Sequence, residues 1–224
     1  MCFMRLERSK RRARSAAAHS TVRIDGAEPA IPAGPFGWQR RPGGRLRRWL
    51  TADAIDLADG EHDAYDGLPD PVSHQRRVLF VKPYYWVVVD DLVGAAEHHV
   101  EQRFQFAPLD VAVESDLWTH ARGRRGQGLL LRPFATTPLK AEIHEGELDP
   151  IQGWVSPDYG ARRPAPVVTY SAVARLPLRI ATLVWPTADP TATPPRMSLL
   201  LGDRSRLMGL VFDETQATIR FDAP

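Results

Sequence analysis

The stretch that decides the fold is Val78–Gly94, VLFVKPYYWVVVDDLVG. Two runs rich in β-branched and aromatic residues flank Lys82-Pro83, and proline interrupts a regular element because it has no backbone N–H to donate. The spacing predicts a β-hairpin whose second arm, Trp86–Val89, is buried on both faces, with Asp90, Asp91 and Gly94 supplying the turn that follows. Moving outward, strict alternation recurs. Val100, Gln102, Phe104 and Phe106 alternate with Glu101, Arg103 and Gln105, and Ala217, Ile219 and Phe221 alternate with Thr218 and Arg220, as half-buried strands require. Further strands are predicted at Leu46–Leu50, Asp53–Ala58, Leu129–Pro133, Leu139–Glu145, Val167–Ala174, Ile180–Trp185, Ser198–Leu201 and Leu207–Asp213. The chain's 20 prolines punctuate the gaps and leave no room for a long helix. These features predict an all-β fold, an antiparallel β-sandwich with little helix, its core built from Val78, Phe80, Val87, Val89, Phe104, Phe106 and Leu183.

Composition narrows the function classes. With 224 residues, 43% of them hydrophobic, the chain can bury one large core. Cys2 is its only cysteine, which excludes a disulfide framework, a cysteine-based zinc site and a dithiol redox motif. The net charge is only +2, yet Arg5, Arg8, Lys10, Arg11, Arg12 and Arg14 crowd the start, and Arg40, Arg41, Arg45, Arg47 and Arg48 follow. Such clusters either attract phosphate or uronate polymers or form a solvated face. No nucleic-acid recognition motif accompanies them, so no nucleic-acid partner is expected. No apolar run approaches the roughly 20 residues of a membrane span, so no membrane partner is expected either. The first thirty residues contain nothing like the apolar centre of a signal peptide.

Four segments carry a family resemblance. AAAHSTVRIDG (Ala16–Gly26), EHDAYDGLPDPVSHQRRVLFVKPYYWVVVDDL (Glu61–Leu92), EHHVEQRFQFAP (Glu97–Pro108) and GWVSPDYG (Gly153–Gly160) resemble, in order, segments of the heparinase II/III-like polysaccharide lyases. The resemblance implies the C-terminal β-sandwich domain of that family over residues 14–224, without the N-terminal α/α-toroid that carries most of the sugar cleft. Residues 1–13 depart from the family pattern and are expected to form a poorly ordered basic start. The upstream histidine pair and the aspartate of a DPG turn found in relatives are not in this chain, which reads as truncated at its N-terminus.

Lyases of this kind act by β-elimination on uronic acids. A base removes the proton beside the carboxylate, an acid protonates the leaving oxygen, and a third group neutralises the carboxylate. By resemblance, His19 and Tyr159 are the catalytic candidates, and Trp154, Tyr159 and Arg14 the substrate-binding ones. The alternative for His19 is a buried histidine at a strand start, bonded to backbone, and that reading is favoured. Trp154 and Tyr159 could equally be a packed loop. His62, in a polar turn of EHDAY, matches a zinc ligand of some relatives; no cofactor is expected in this chain, zinc being a possibility for the full-length relative. His74, His98, His99 and His144 are expected to face solvent. The implied partners are acidic polysaccharide and the toroid, and without the toroid the domain is expected to be inactive. The competing reading is a non-catalytic carbohydrate-binding sandwich. Relatives are usually periplasmic, in the cell envelope or secreted, and nothing in this chain chooses among these.

Overall fold

A computed structural model describes residues 15–34, 37–158, 161–189, 193–203, 206–213 and 217–221. Arg14, Tyr159 and the basic start lie outside the described residues. A 3-10 turn at Ala16–Ala18 leads into β1 (Val22–Ile24), the short pair β2 (Ile31–Ala33) and β3 (Gly37–Arg40), and then β4 (Gly44–Thr51), β5 (Ile55–Tyr65), β6 (Val72–Val81), β7 (Tyr85–Val93) and β8 (Glu97–Gln105). The middle of the chain adds β9 (Asp110–Val113), β10 (Thr119–Arg122), β11 (Gly128–Phe134) and β12 (Lys140–His144). Four two-residue strands follow: β13 (Glu147–Leu148), β14 (Ile151–Gln152), β15 (Trp154–Val155) and β16 (Arg163–Pro164). Then come β17 (Val167–Arg175), β18 (Leu178–Thr187), β19 (Met197–Leu201), β20 (Leu207–Phe212) and β21 (Thr218–Arg220).

The strands form three layers. An eight-stranded sheet, β4-β5-β6-β7-β18-β11-β10-β9, lies in the middle. A four-stranded sheet, β1-β8-β17-β12, packs on one face, and the three-stranded sheet β19-β20-β21 packs on the other. Alternation explains which residues meet. On the sandwich side Val22, Ile24 and Val100 of the small sheet bury against Val72, Leu92 and Ile180 of the large one, and Phe104 and Tyr170 bury with Leu131. On the other face Val87, Val89 and Leu183 pack against Leu207, Leu210 and Phe212.

Of the expected core, Val87, Val89, Phe104, Phe106 and Leu183 are buried. Val78 and Phe80 are only half-buried, because the four-stranded sheet does not extend over that part of β6. For the same reason Trp86 and Val88 are half-buried, so the second arm of the hairpin is covered fully on one face alone.

The hairpin forms as predicted, with β6 and β7 in register from Ser73↔Val93 to Val81↔Tyr85. The expected turn at Asp90 and Asp91 is wrong. Both lie inside β7 and are almost inaccessible, at 0% and 3% exposure, and the chain turns only after Val93. Successive strand residues point to opposite faces, so each aspartate enters a different core and each is neutralised there. Asp90 Oδ1 accepts from Arg76 Nε at 2.7 Å and Asp90 Oδ2 from Arg76 Nη2 at 2.9 Å and from Gln102 Nε2 at 2.8 Å. Asp91 Oδ1 accepts from Arg179 Nε at 2.6 Å, and Asp91 Oδ2 accepts from Arg77. Arg179 also donates to the Leu207 carbonyl at 3.0 Å, tying the three-stranded sheet to the large one.

A second correction concerns His98, which was expected to face solvent and is 5% exposed. Its Nδ1 lies 2.7 Å from Asp25 Oδ2 and its Nε2 lies 2.9 Å from Asp70 Oδ2. Two carboxylates facing both ring nitrogens require both to carry protons. Asp25 sits at φ 50° in the turn after β1 and also accepts the His99 amide at 2.8 Å, while Asp70 accepts the Ala95 and Ala96 amides. His98 therefore pins three chain turns together. Burial alone would lower its pKa, but hydrogen bonds to Asp25 and Asp70 outweigh it and hold the pKa above the ordinary 6.5. Among the other histidines, His99 is exposed as expected and His144 is half-buried.

Two predictions follow from these clamps. Asp91→Ala leaves Arg77 and Arg179 buried without their counter-charge, a loss of about 3–5 kcal/mol that thermal denaturation should register as a fall in Tm of roughly 10 °C for a domain of this size; a change within about 2 °C contradicts the clamp. For His98 the raised pKa means its contribution is complete below the unfolded value of 6.5 and is lost as pH rises through the folded value. Tm should accordingly fall across that window in the wild type, and the component should vanish in His98→Gln; parallel profiles for the two proteins contradict the assignment.

Candidate functional site

The polar inner face of β5, β6 and β7 concentrates the groups with chemistry. Register pairs His62 with His74 and His74 with Leu92, while Arg76 pairs with Asp90. Val72, His74, Arg76 and Val78 alternate toward the sandwich interior, so two polar side chains take positions normally filled by apolar ones. His74, expected to face solvent, is instead 2% exposed. His62, expected in a polar turn, lies within β5, which is longer than predicted and runs through GEHDAY because β4 and β6 hydrogen-bond it on both sides.

These residues form a directed chain of hydrogen bonds. The Ala64 amide donates to His62 Nδ1 at 3.2 Å. His62 Nε2 lies 2.9 Å from His74 Nδ1, and His74 Nε2 lies 2.7 Å from Asp90 Oδ1. Because the Ala64 amide can only donate, His62 Nδ1 keeps its lone pair and Nε2 carries the proton; His74 then takes that bond on Nδ1 and donates from Nε2 to the carboxylate. The His62 ring is neutral in this arrangement, and Asp90 takes the end of the relay. Burial opposes the Asp90 charge, but the Arg76 guanidinium and the His74 hydrogen bond prevail and hold its carboxyl well below the usual range. Burial lowers His62 to about 4.

The relay opens onto a cavity of about 380 Å³ walled by Gly44, Arg45, Glu61, His62, Asp63 and Ser73. At its other end Arg76 Nη1 donates to the Ser20 carbonyl at 2.6 Å, and Ser20 Oγ accepts the Gln105 amide at 3.1 Å. His19 is thus held next to the network through its neighbour. The favoured reading of His19 as a buried histidine is corrected here: it is exposed, at the end of the 3-10 turn, because β1 begins only at Val22 and the four-stranded sheet does not cover the turn. Its backbone amide bonds the Ala16 carbonyl at 3.1 Å.

Trp154 lies apart from this cluster. Gly153, at φ +72°, lets the chain pass so close to His144 and Glu145 that a Cβ there would lie 2.5 Å from the Glu145 Cα. Trp154 Nε1 donates to the Glu147 carbonyl at 2.7 Å, and the Arg162 guanidinium sits 4.2 Å over its ring. The segment lies on the outer face of the four-stranded sheet, where Gln152 joins Arg103 to Glu147 and Glu147 joins His144, at 2.6–2.7 Å. The described part of this loop is packed, and one ring face of Trp154 is already covered. Tyr159 and Arg14, the other binding candidates, lie outside the described residues.

The donors present do not fit a zinc ion at His62. Both of its ring nitrogens are engaged, and among the described residues no group of three His, Cys, Asp or Glu side chains is placed to hold a metal. Sequence reasoning missed His74, Arg76, Asp90 and Gln102; the period-2 placement of His74 and Arg76 with Val72 and Val78 was the available signal.

A lowered His62 pKa fixes a pH dependence opposite to that of His98. Stability from the neutral ring is complete above 6.5 and is lost as pH falls toward about 4. His62→Gln should flatten the acid side of the Tm profile between pH 6.5 and 4; an acid limb unchanged by the substitution contradicts the relay.

No curated protein matches the chain by sequence. Among solved structures, a mutant of the heparan sulfate lyase HepC from Pedobacter heparinus superimposes with a TM-score of 0.74 at 18% identity, covering 100% of this chain and 32% of its own. A heparinase III superimposes with a TM-score of 0.71 at 18% identity, covering 94% of this chain and 30% of its own. At such identities the likeness is one of fold, and this chain spans about a third of each lyase. No helix among the described residues is long and apolar enough to cross a membrane. The sequence match is more specific: residues 3–194 match the heparinase II/III-like, C-terminal family, beginning inside the basic start and taking in all four motif segments, and the chain belongs to that family.

Proposed function

We propose that this chain is the β-sandwich part of a polysaccharide lyase that cleaves uronic-acid-containing polysaccharide by β-elimination, and that it acts together with an α/α-toroid domain. The observation that carries the reading is the family match over residues 3–194 in a chain spanning only 32% of the heparan sulfate lyase whose fold it shares.

Two features of the molecule support it. First, β-elimination needs a base and an acid within hydrogen-bond reach of one sugar, and two of the described tyrosines, Tyr65 and Tyr170, are buried away from any cleft. The Tyr65 hydroxyl is buried and donates to the Val22 carbonyl at 2.7 Å, and the Tyr170 hydroxyl is buried against Thr119. Burial pushes both phenols far above their ordinary pKa. His19 is exposed and available to a cleft completed by another domain. Second, the eight-stranded sheet outruns its cover. On the sandwich side of β4–β7, Leu46 and Trp49 are 64% and 65% exposed, and Val78, Phe80 and Trp86 beside them are half-buried. Phe80 and Trp86 stack there with ring centroids 4.3 Å apart. An apolar sheet face of this kind suits a packed domain.

The test is the ultraviolet absorbance of the unsaturated uronate product on a panel of acidic polysaccharides. Positioning of reacting groups is worth about 7–11 kcal/mol of barrier, so the 224-residue chain alone should give no product above background. A version extended by the sequence encoded upstream should be active, and His19→Ala in that version should lower kcat by roughly 100-fold or more. Robust product from the short chain, or no product from the extended one, overturns the reading.

A further inference from the structure

On the face of the eight-stranded sheet turned away from the His62 relay, Arg132 has no counter-charge among the described residues. Arg132 lies on β11, paired with Leu183 of β18, and so points toward the three-stranded sheet. Its guanidinium carbon sits 5.6 Å over the Trp118 ring and 4.9 Å over the Phe134 ring. Trp118 and Phe134 are themselves buried, so the planar group is held between two fixed aromatic surfaces. Its Nε is buried without an acceptor. No carboxylate of the described residues forms an ion pair with it, in contrast to Arg76, Arg77 and Arg179.

This guanidinium borders a pocket of about 360 Å³, whose remaining wall is apolar at Leu117, Phe134, Leu139, Met197 and Leu199, with the hydroxyl-bearing Thr136 and Thr137 between them. That volume is at the small end of ligand sites, about 300–1,000 Å³. A buried guanidinium N–H without an acceptor is costly unless something supplies one. The acceptor that fits is a single planar carboxylate. Arginine presents a rigid fork that matches it with two parallel hydrogen bonds, whereas a dianionic phosphate would call for more than one cation. Beyond the carboxylate the ligand meets an apolar wall and two hydroxyls, the combination that suits one face of a sugar ring.

We infer that Arg132 and the surrounding pocket form a subsite for one uronic acid residue of an acidic polysaccharide, remote from the face that carries His19. This rests on the proposed function, since that reading makes uronate the ligand the chain meets. The subsite adds a second point of attachment on the same polymer, which raises avidity through effective concentration and takes no part in elimination.

Met197 lines the pocket, which provides a local probe. The protein is labelled with ε-¹³C-methionine and titrated with sodium glucuronate, sodium acetate and glucose while the Met197 methyl resonance is followed by NMR. Glucuronate should shift Met197 saturably, with acetate at least about tenfold weaker and glucose without effect. Arg132→Gln should weaken glucuronate at least about tenfold, and Arg132→Lys should recover only part of the loss because the fork is gone. A circular dichroism melt shows that each variant is folded, and in a folded variant an unchanged affinity overturns the inference. So does a wild-type Met197 that does not respond, or acetate binding as tightly as glucuronate. Product formation by the extended chain is measured separately: activity without glucuronate binding at Met197 removes this subsite alone, and glucuronate binding without lyase activity removes the proposed reaction alone.

Discussion

Two adjacent buried carboxylates, Asp90 and Asp91, are the constraint on which the rest of this structure depends. Being neighbours in β7, they project into opposite cores, and each must be neutralised where water is excluded. Asp90 gathers Arg76 and His74 from β6 and Gln102 from β8; Gln102 in turn accepts the Thr182 hydroxyl at 3.0 Å. Asp91 gathers Arg77 from β6 and Arg179 from β18, and Arg179 reaches the Leu207 carbonyl. One dipeptide thereby fixes the register of the central strands and the seating of both outer sheets. Burying ion pairs adds little net stability relative to apolar packing, but removing one member of such a pair is expensive. The arrangement specifies which strands meet more than it strengthens their meeting.

The same constraint shapes the candidate site. With Asp90 ionised and Arg76 clamped on it, Arg76 has a spare nitrogen that holds the Ser20 carbonyl, and so it positions the exposed His19 at the border of the small sheet. His74 adds a further hydrogen bond to the carboxylate, and His62 holds His74 in place. The relay is a scaffold between the cavity beside β4 and the turn that presents His19. Under the proposed function, elimination requires groups from beyond these strands, and the uncovered apolar face of β4–β7 lies on the same side of the large sheet.

Much of this was legible in the sequence and some was not, for identifiable reasons. The hairpin at Val81–Tyr85, the alternation of Val100, Gln102 and Phe104, and the closing strand at Ile219 follow from local patterning, and these strands form where expected. Asp90 and Asp91 misled because a polar pair after an apolar run reads as a turn, and what turns it into buried strand comes from up to 88 residues away, at Arg179. His74 and His98 misled in the same manner: charged neighbours suggested solvent, whereas the carboxylates that accept them sit on other strands or turns. Val78 and Phe80 were expected at full burial because strand patterning says which face is apolar but not whether another layer covers it. The exposure of His19 depends on where the small sheet ends, which local sequence does not encode. Arg132 carried no signal at all, since an arginine in an apolar run has the same sequence appearance with or without a counter-charge.

The central claim is that Asp90 stays ionised inside the fold because Arg76, His74 and Gln102 surround it. Carboxyl ¹³C NMR of the aspartates through an acid titration tests this directly. The account predicts that the Asp90 resonance keeps its ionised shift as exposed carboxyls titrate near 3.8, and changes only when the native signals disappear. Titration of Asp90 at or above 3.8 in a folded protein would contradict it.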